Sequence, residues 1–425
     1  MDRIVVQQSG PLSGQVDVPG AKNSVLKLMV ASLYAPGRHE LTNVPDISDV
    51  ETMGTLLGAL GVRVSRDRSD DTVLHLHNDG DVRTVAPPDL VTSIRASINV
   101  LGPLLAVAGR VRLDMPGGDD FGSRPIDLHV RGLEAMGVAF EIDDQSIVAR
   151  ADRLRGADIA LDFPSVGATE NLVTAAVHAE GVTRIANAAR EPEVADLCDV
   201  LVEMGARIDG VGSSVITVEG VPRGSLRPVS HAVVPDRIQA ATYLAAVAVA
   251  GGSAVVNGAR ADHMAVLLNR MNDMGLRLEA VPGGVSIVSE GRMRTVDVQT
   301  LPYPGLGTDY KPLLVTMLAV AEGVGIVTEN LYPGRFRYVE ELSKLGADIR
   351  SDGHHAIVRG MDRLRGAAVV APDIRAGAAL VIAGLVAEGR TVISGIEHID
   401  RGYDDLVGRL VSLGASVERA NSVDL

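Results

Sequence analysis

FPSVGATENLVTAAVHAEG (residues 163–181), followed by VTRIANA (182–188), AREPEVADLCDVLVEMG (189–205) and ARIDGVGSSVITVEG (206–220), decides the fold of this chain. The first segment is a turn and then apolar residues at helical spacing, stopped by Gly181. The second alternates like a strand. The third is a loop and a second helix, stopped by Gly205, and the fourth reads as a hairpin. The order helix, strand, helix, hairpin recurs along the whole sequence. Glycines that close the first helix and open a strand stand at Gly37, Gly109, Gly181, Gly252, Gly323 and Gly389. Those inside LGV, MGV, MGA, MGL, LGA and LGA, which close the second helix, are Gly61, Gly137, Gly205, Gly275, Gly346 and Gly414. Each series advances by roughly 70 residues, the mark of a repeated structural unit. Six copies divide naturally into two groups of three. The reading predicts an α/β (or α+β) domain of helices surrounded by, or packed under, mixed sheet, made twice.

The bulk composition agrees. A chain of 425 residues is too long for one ordinary core. Its residues are 46% hydrophobic but only 3% aromatic, with no Trp, so the core must be mostly Ala, Val, Leu and Ile. Forty basic against 54 acidic residues leave a formal charge of −14, which disfavours a general nucleic-acid surface. MDRIVVQQSG at the start lacks the apolar run of a signal peptide. The longest apolar stretch, from Ala240 to Val256, is broken by Gly251, Gly252 and Ser253 and reads as a buried helix and a strand, not a membrane span. Cys198, the single cysteine, excludes an internal disulfide and a multi-cysteine metal site, and reads as core. A cytoplasmic protein is expected.

Against this acidic background, the loops that start helices are basic. Those before the first helices carry Lys22, Arg95, Arg237, Lys311 and Arg375, and those before the second carry Arg124, Arg190, Arg260, Arg335 and Arg401: ten of twelve loops. Helix N-termini already favour anions through free N–H groups and the macrodipole. Cations placed there are electrostatically wasteful unless an anion joins them. Local pairing with the aspartates of PDR, PDIR and IDR is the plainer explanation for any single loop. The set points to a polyanionic small molecule.

Familiar signatures fail elsewhere. GLGTDYK (305–311) lacks P-loop spacing, and neither G-x-S-x-G nor HExxH occurs. His354 and His355 suit a hairpin edge better than a metal site. No metal and no cofactor are expected. MPGGDDFGSRPIDLH (115–129) is different: its glycines, Asp and Arg together suit a mobile lid over 114–125 that closes on an anion and brings in an acid.

That loop, PGG-x-x-x-G-x-RP, together with GAKN, SVGAT, AREPE, TEN…RF and HIDRGY, resembles the enolpyruvyl transferases, in order along essentially the whole chain. The resemblance is strongest to the branch that acts on UDP-N-acetylglucosamine in the first committed step of peptidoglycan synthesis. It implies an inside-out α/β barrel of two domains with three repeats each. One domain would comprise residues 1–20 plus 234–425, since the first strand joins it, and the other residues 21–233. It implies transfer of the enolpyruvyl group of phosphoenolpyruvate to a hydroxyl, with release of phosphate. Lys22, Arg124 and Arg401 would then hold phosphoenolpyruvate, with Arg95, Arg335 and Arg375 nearby. Asp309 would act as base or orienter of the acceptor hydroxyl and Asn23 would contact the acceptor. Ser165, Val166 and Gly167 would follow the nucleotide phosphates, and Pro125, Ile126, Asp127, Leu128 and His129 the uracil.

Two departures from the family pattern stand out. Asp119 occupies the loop position that usually carries a reactive Cys, so insensitivity to the alkylating epoxide fosfomycin is expected, with Asp119 as proton donor. Around the base, the usual F-P-T-D-M/L-Q is here Leu306-Gly307-Thr308-Asp309-Tyr310-Lys311. A Lys beside the sugar site would alter acceptor choice, which keeps open another uridine nucleotide such as UMP, the acceptor in nucleoside-antibiotic pathways. A nucleotide-binding regulator without activity is the alternative of another class.

Overall fold

Twelve helix ends explain the sequence period. The computed structural model describes residues 2–118, 125–332 and 334–420. All twelve repeat glycines lie at positive φ, from 70° at Gly109 to 126° at Gly37. A Cβ is strained in that region, so glycine is the residue that lets the chain leave a helix and enter the next strand.

The six copies build six sheets of one design. In the third copy, Val182–Ala186 runs parallel to Asp158–Ala160 and antiparallel to Val215–Glu219, which pairs in turn with Arg207–Asp209. Ile185 sits opposite both Ile159 and Ile216, so one strand face is apolar across the sheet. The same order of strands recurs around Gly37–Thr42, Arg110–Asp114, Gly252–Asn257, Val324–Thr328 and Arg390–Ser394. At Arg110–Asp114 the parallel neighbour shrinks to one bridge, Val85 to Arg112. Chain ends complete the pattern. Arg3–Gln7 takes the hairpin position of the last sheet, between Arg390–Ser394 and Val417–Ala420. Leu12–Asp17 is the parallel neighbour of Gly252–Asn257, and Ser230–Ala232 that of Gly37–Thr42.

The described residues form two compact units, 2–19 with 235–420 and 20–118 with 125–234, each with its own apolar core. Each unit is an inside-out α/β barrel, with three helices inside and three of these sheets outside; Leu364–Arg365 and Ala387–Glu388 form a further two-stranded pair. The inner helices are Lys22–Ala31, Leu101–Ala108 and Val166–Ala176 in one unit. In the other they are Arg237–Ala250, Lys311–Val320 and Ile374–Gly384. They bury nearly all their residues and lack an exposed polar face; every residue of Ile374–Gly384 is buried. The outer helices, such as Pro192–Met204, keep one polar face. The apolar stretch read as helix and strand is Arg237–Ala250 and Gly252–Asn257, and no described helix is long and apolar enough to cross a membrane. Cys198 is buried in Pro192–Met204, where burial pushes its thiol up to about 12.

Candidate active site

The N-terminal ends of the inner helices bring the candidate residues into two groups, one in each unit. In the 235–420 unit, Asp309 lies in the 3-10 turn Thr308–Tyr310 that leads into Lys311–Val320. Its carboxylate takes Arg335 Nη1 at 2.7 Å and Arg375 Nε at 3.5 Å. Arg335 and Arg375 are both buried at 4% exposure. Arg237 reaches the same corner by donating to Tyr310 Oη at 3.0 Å. Burial works to raise the Asp309 carboxyl, but the Arg335 and Arg375 cations outweigh it and hold the group well below the usual carboxylate range. Three cations on one carboxylate, at the N-termini of three helices, leave a strongly positive corner. Arg375 Nη1 is buried without a hydrogen-bond partner among the described residues, an arrangement that an incoming anion would satisfy. Arg401 follows the short helix Glu397–Asp400 and is half-buried. Tyr403 beside it bonds Thr242 at 2.8 Å and packs against Arg375, its ring 5.4 Å from the guanidinium carbon.

Of the aspartates of PDR, PDIR and IDR, Asp236 and Asp373 add their field to Arg375 and Arg335 respectively. Asp236 and Asp373 accept backbone N–H bonds as N-caps of their helices, and Asp400 pairs with Arg419.

Lys311 corrects an expectation. It does not border a sugar site: it is 0% exposed and pairs with the equally buried Glu329 at 2.8 Å. Its ammonium also donates to the backbone carbonyl of Arg335 and lies 3.9 Å from the Phe336 ring centre. Burial lowers the ammonium to about 8, with Glu329 opposing the shift. Glu329 accepts from Thr300 Oγ1 and Thr308 Oγ1, both at 2.7 Å, and from the amides of Leu331 and Tyr332 at 2.7 and 3.0 Å. Burial opposes its ionisation, yet Lys311 and the threonine hydroxyls lower its pKa below the ordinary value. Glu329 and Thr308 were not foreseen as site residues, and Arg237 only as one of the basic residues at helix starts. The signal was Lys311 itself, since a lysine entering an apolar helix requires a buried counter-charge.

In the other unit, Lys22 opens Lys22–Ala31 and pairs with Asp49 at 2.9 Å. Asn23 is half-buried beside it, and its carbonyl takes the Lys27 ammonium. Lys27 also faces Glu170 at 3.3 Å. Ser165 caps Val166–Ala176, its Oγ accepting from Ala168 N at 3.3 Å. Val166 and Gly167 follow, and a Cβ on Gly167 would come within 3.1 Å of the His129 ring. His129 and Ile126 turn inward, at 6% and 8% exposure. Pro125, Asp127 and Leu128 are the accessible members of that stretch. Asn171 donates to His129 Nδ1 at 3.0 Å. Burial first, then Arg95, lowers the imidazole to about 4, so it is neutral near pH 7 and carries its proton on Nε2. Asp127 is tied to Arg131 at 3.0 Å, which also reaches Asp162 at 2.8 Å.

Arg95 Nη1 donates to Pro116 O at 3.0 Å and so pins the stem of the 114–125 loop. A Cβ at Gly117 would sit 1.6 Å from Thr92 O. That glycine therefore serves close backbone approach, where the sequence suggested flexibility. Asp119 and Arg124 lie outside the described residues.

With this geometry in view, comparison with known proteins is specific. Residues 6–410 match the sequence pattern of the family described as EPSP synthase (3-phosphoshikimate 1-carboxyvinyltransferase). The chain is 49% identical to a UDP-N-acetylglucosamine 1-carboxyvinyltransferase of Corynebacterium jeikeium, over 98% of this chain and 99% of the relative. It is 48% identical to the protein of that name from Nocardia farcinica, over the full length of both. Among solved structures, the enolpyruvyl transferase NikO from Streptomyces tendae superposes with a TM-score of 0.89 at 27% identity, over 99% of each chain. An EPSP synthase from Acinetobacter baumannii shares the fold, with a TM-score of 0.75 at 17% identity over 99% of this chain and 100% of that one.

Proposed function

The chain belongs to the EPSP synthase family of carboxyvinyltransferases, and from that premise we propose that it transfers the enolpyruvyl group of phosphoenolpyruvate to the 3-hydroxyl of UDP-N-acetylglucosamine, releasing inorganic phosphate. The observation that carries this reading is the 48–49% identity, over 98% of the chain or more, to proteins named for that reaction. The acceptor oxygen attacks C2 of phosphoenolpyruvate while C3 takes a proton, which gives a tetrahedral phospho-ketal. Loss of a proton from C3 and cleavage of the C2–O bond to phosphate then yield the enol ether and phosphate.

Asp119 supplies the proton to C3 and Asp309 receives the one from the acceptor hydroxyl. Lys22, Arg124 and Arg401 hold phosphoenolpyruvate, with Arg95, Arg335 and Arg375 completing the positive surround. Asn23 meets the acceptor. Ser165, Val166 and Gly167 follow the diphosphate, and Pro125, Asp127 and Leu128 the uracil, with Ile126 and His129 supporting them from the core. Arg335 and Arg375 make Asp309 a weak base in the free site. An arriving phosphate and carboxylate share those cations and raise the proton affinity of Asp309 at the moment it is needed. Residues 1–20 with 234–425 and residues 21–233 serve as the two domains of this reaction, the second carrying the loop 114–125. The setting is cytoplasmic peptidoglycan synthesis.

The rival acceptor, UMP, drew its support from a Lys beside the sugar site, and the burial of Lys311 removes that ground. Phosphate release from phosphoenolpyruvate, assayed in parallel with UDP-N-acetylglucosamine, UMP and shikimate-3-phosphate, tests the reading. Release with the first alone is expected, and release only with UMP would transfer the chain to the second acceptor. No release with any would favour a binding protein. With Asp119 in place of the usual thiol, fosfomycin leaves activity intact; time-dependent inactivation with an adduct on the loop would overturn that.

A further inference from the structure

Lys311 and Glu329 lie beneath the Asp309 corner and have no surface of their own. Glu329 gathers five donors from three segments: Thr300 after one strand, Thr308 and Lys311 from the turn and helix that carry Asp309, and the amides of Leu331 and Tyr332. The direction of one of these bonds matters. A carboxylate has no proton to give, so the Thr308 hydroxyl must donate to Glu329 Oε2 at 2.7 Å. Its lone pairs are thereby left to accept from Arg335 Nη1 at 3.2 Å, the nitrogen that also meets Asp309 Oδ1 at 2.7 Å. Meanwhile Lys311 donates to the backbone carbonyl of Arg335. Arg335 is held twice, at its main chain by the lysine and at its guanidinium through Thr308.

We propose that the buried Lys311–Glu329 pair is the positioning element of this site: it holds Arg335 at these two points and so fixes where the Asp309 carboxylate stands and how readily it takes a proton. This inference rests on the proposed role of Asp309 as the base. It turns the departure of Lys311 from the usual Gln into a change beneath the site instead of a change of acceptor. Neither member of the pair is a catalytic residue, because neither touches a reacting atom. Replacing Glu329 with Gln presents an N–H to Thr308, reverses the hydroxyl, and points its hydrogen at Arg335. Besides Arg335, the charged groups facing Asp309 are Arg375 and Arg237, and those facing Lys311 and Glu329 are Arg335 and Asp373. These remain in every variant below.

The test compares Thr308→Val, Thr308→Ser and the double variant Lys311→Met/Glu329→Gln in the full-length enzyme. Replacing a buried ion pair with neutral groups of similar size is commonly tolerated, so the double variant is expected to fold; Thr308→Val, nearly isosteric, provides the same test if it does not. We expect kcat to fall about tenfold or more in Thr308→Val and in the double variant, with KM for phosphoenolpyruvate changed less than about threefold. The acidic limb of kcat should move to higher pH as Asp309 loses its hold on Arg335. Thr308→Ser, which restores the hydroxyl, should recover most of the loss. A folded Thr308→Val or double variant with kcat within twofold of the parent and an unmoved limb would overturn the proposal. If the parent releases no phosphate with any acceptor, the functional reading fails on its own. The positioning claim is then decided by the Asp309 resonance in 13C-aspartate spectra, assigned by its absence from Asp309→Asn. A raised titration midpoint in Thr308→Val supports the claim, and an unchanged one refutes it.

Discussion

Each unit buries one lysine–glutamate pair beneath its candidate site, and the two pairs are built differently. Lys311–Glu329 is a close contact at 2.8 Å, and the carboxylate has four further donors. Lys27–Glu170 is looser at 3.3 Å, and Glu170 Oε1 is buried without a hydrogen-bond partner among the described residues. The consequence is opposite in sign. Burial pushes Glu170 up to about 7, with Lys27 opposing only in part and Glu193 and Glu191 adding to the rise. Burial also works to raise Glu329, yet its donors win and its pKa falls. A counter-charge alone does not keep a buried carboxylate ionised; satisfied lone pairs do.

The largest effect expected from this contrast is on stability. Lys311→Met strands a fully ionised Glu329 and should cost about 3–5 kcal/mol at pH 7.5. Lys27→Met should cost about 1 kcal/mol, because Glu170 is near its midpoint and simply takes up a proton. Urea unfolding of both variants measures the difference, and equal losses would break the comparison.

Next in size is the pH dependence. Glu170 has its folded pKa raised, so between pH 4.5 and 7 the folded chain keeps a proton that the unfolded chain has released. Its contribution is fully favourable below about 4.5 and declines by about 3 kcal/mol as pH rises to 7. Stability of the parent relative to Glu170→Gln should therefore fall over that window. Glu329 has its folded pKa depressed, so its contribution is present above about 4.5 and lost as pH falls below it. Relative to Glu329→Gln the parent should gain stability from pH 3 to 5, and slopes of the same sign would refute the contrast.

The smallest effect concerns what the units share. Gly181→Ala and Gly389→Ala, one in each unit, face open space at φ of 97° and 91°. Each should cost about 1 kcal/mol, from backbone strain alone. A markedly larger loss at one of them would show that the repeat glycines are not equivalent.

Local features were legible because they depend on neighbours in the chain. Residues 163–220 yielded their two helices, their strand and their hairpin from periodicity and glycine stops. Cys198 and the stretch after Ala240 were correctly read as core. Positions that depend on distant partners were not legible. Lys311 looked like a residue at a ligand's edge because its partner, Glu329, is eighteen positions away and joins it only in the folded unit. Gly117 looked flexible because nothing nearby in sequence reveals Thr92 O against it. The burial of His129 and Ile126 was hidden for the same reason, since it comes from packing against remote segments such as the one that carries Asn171.

By itself, then, the sequence determined the sixfold unit, the helix stops and the excess of cations at helix starts. Apolar spacing and the φ preference of glycine are set within a few residues. The tertiary structure alone decided which cations meet at Asp309, which lysine is withdrawn from the surface, and which buried glutamate stays charged. Desolvation and hydrogen-bond satisfaction exist only once remote segments enclose a group, and those two quantities set its charge.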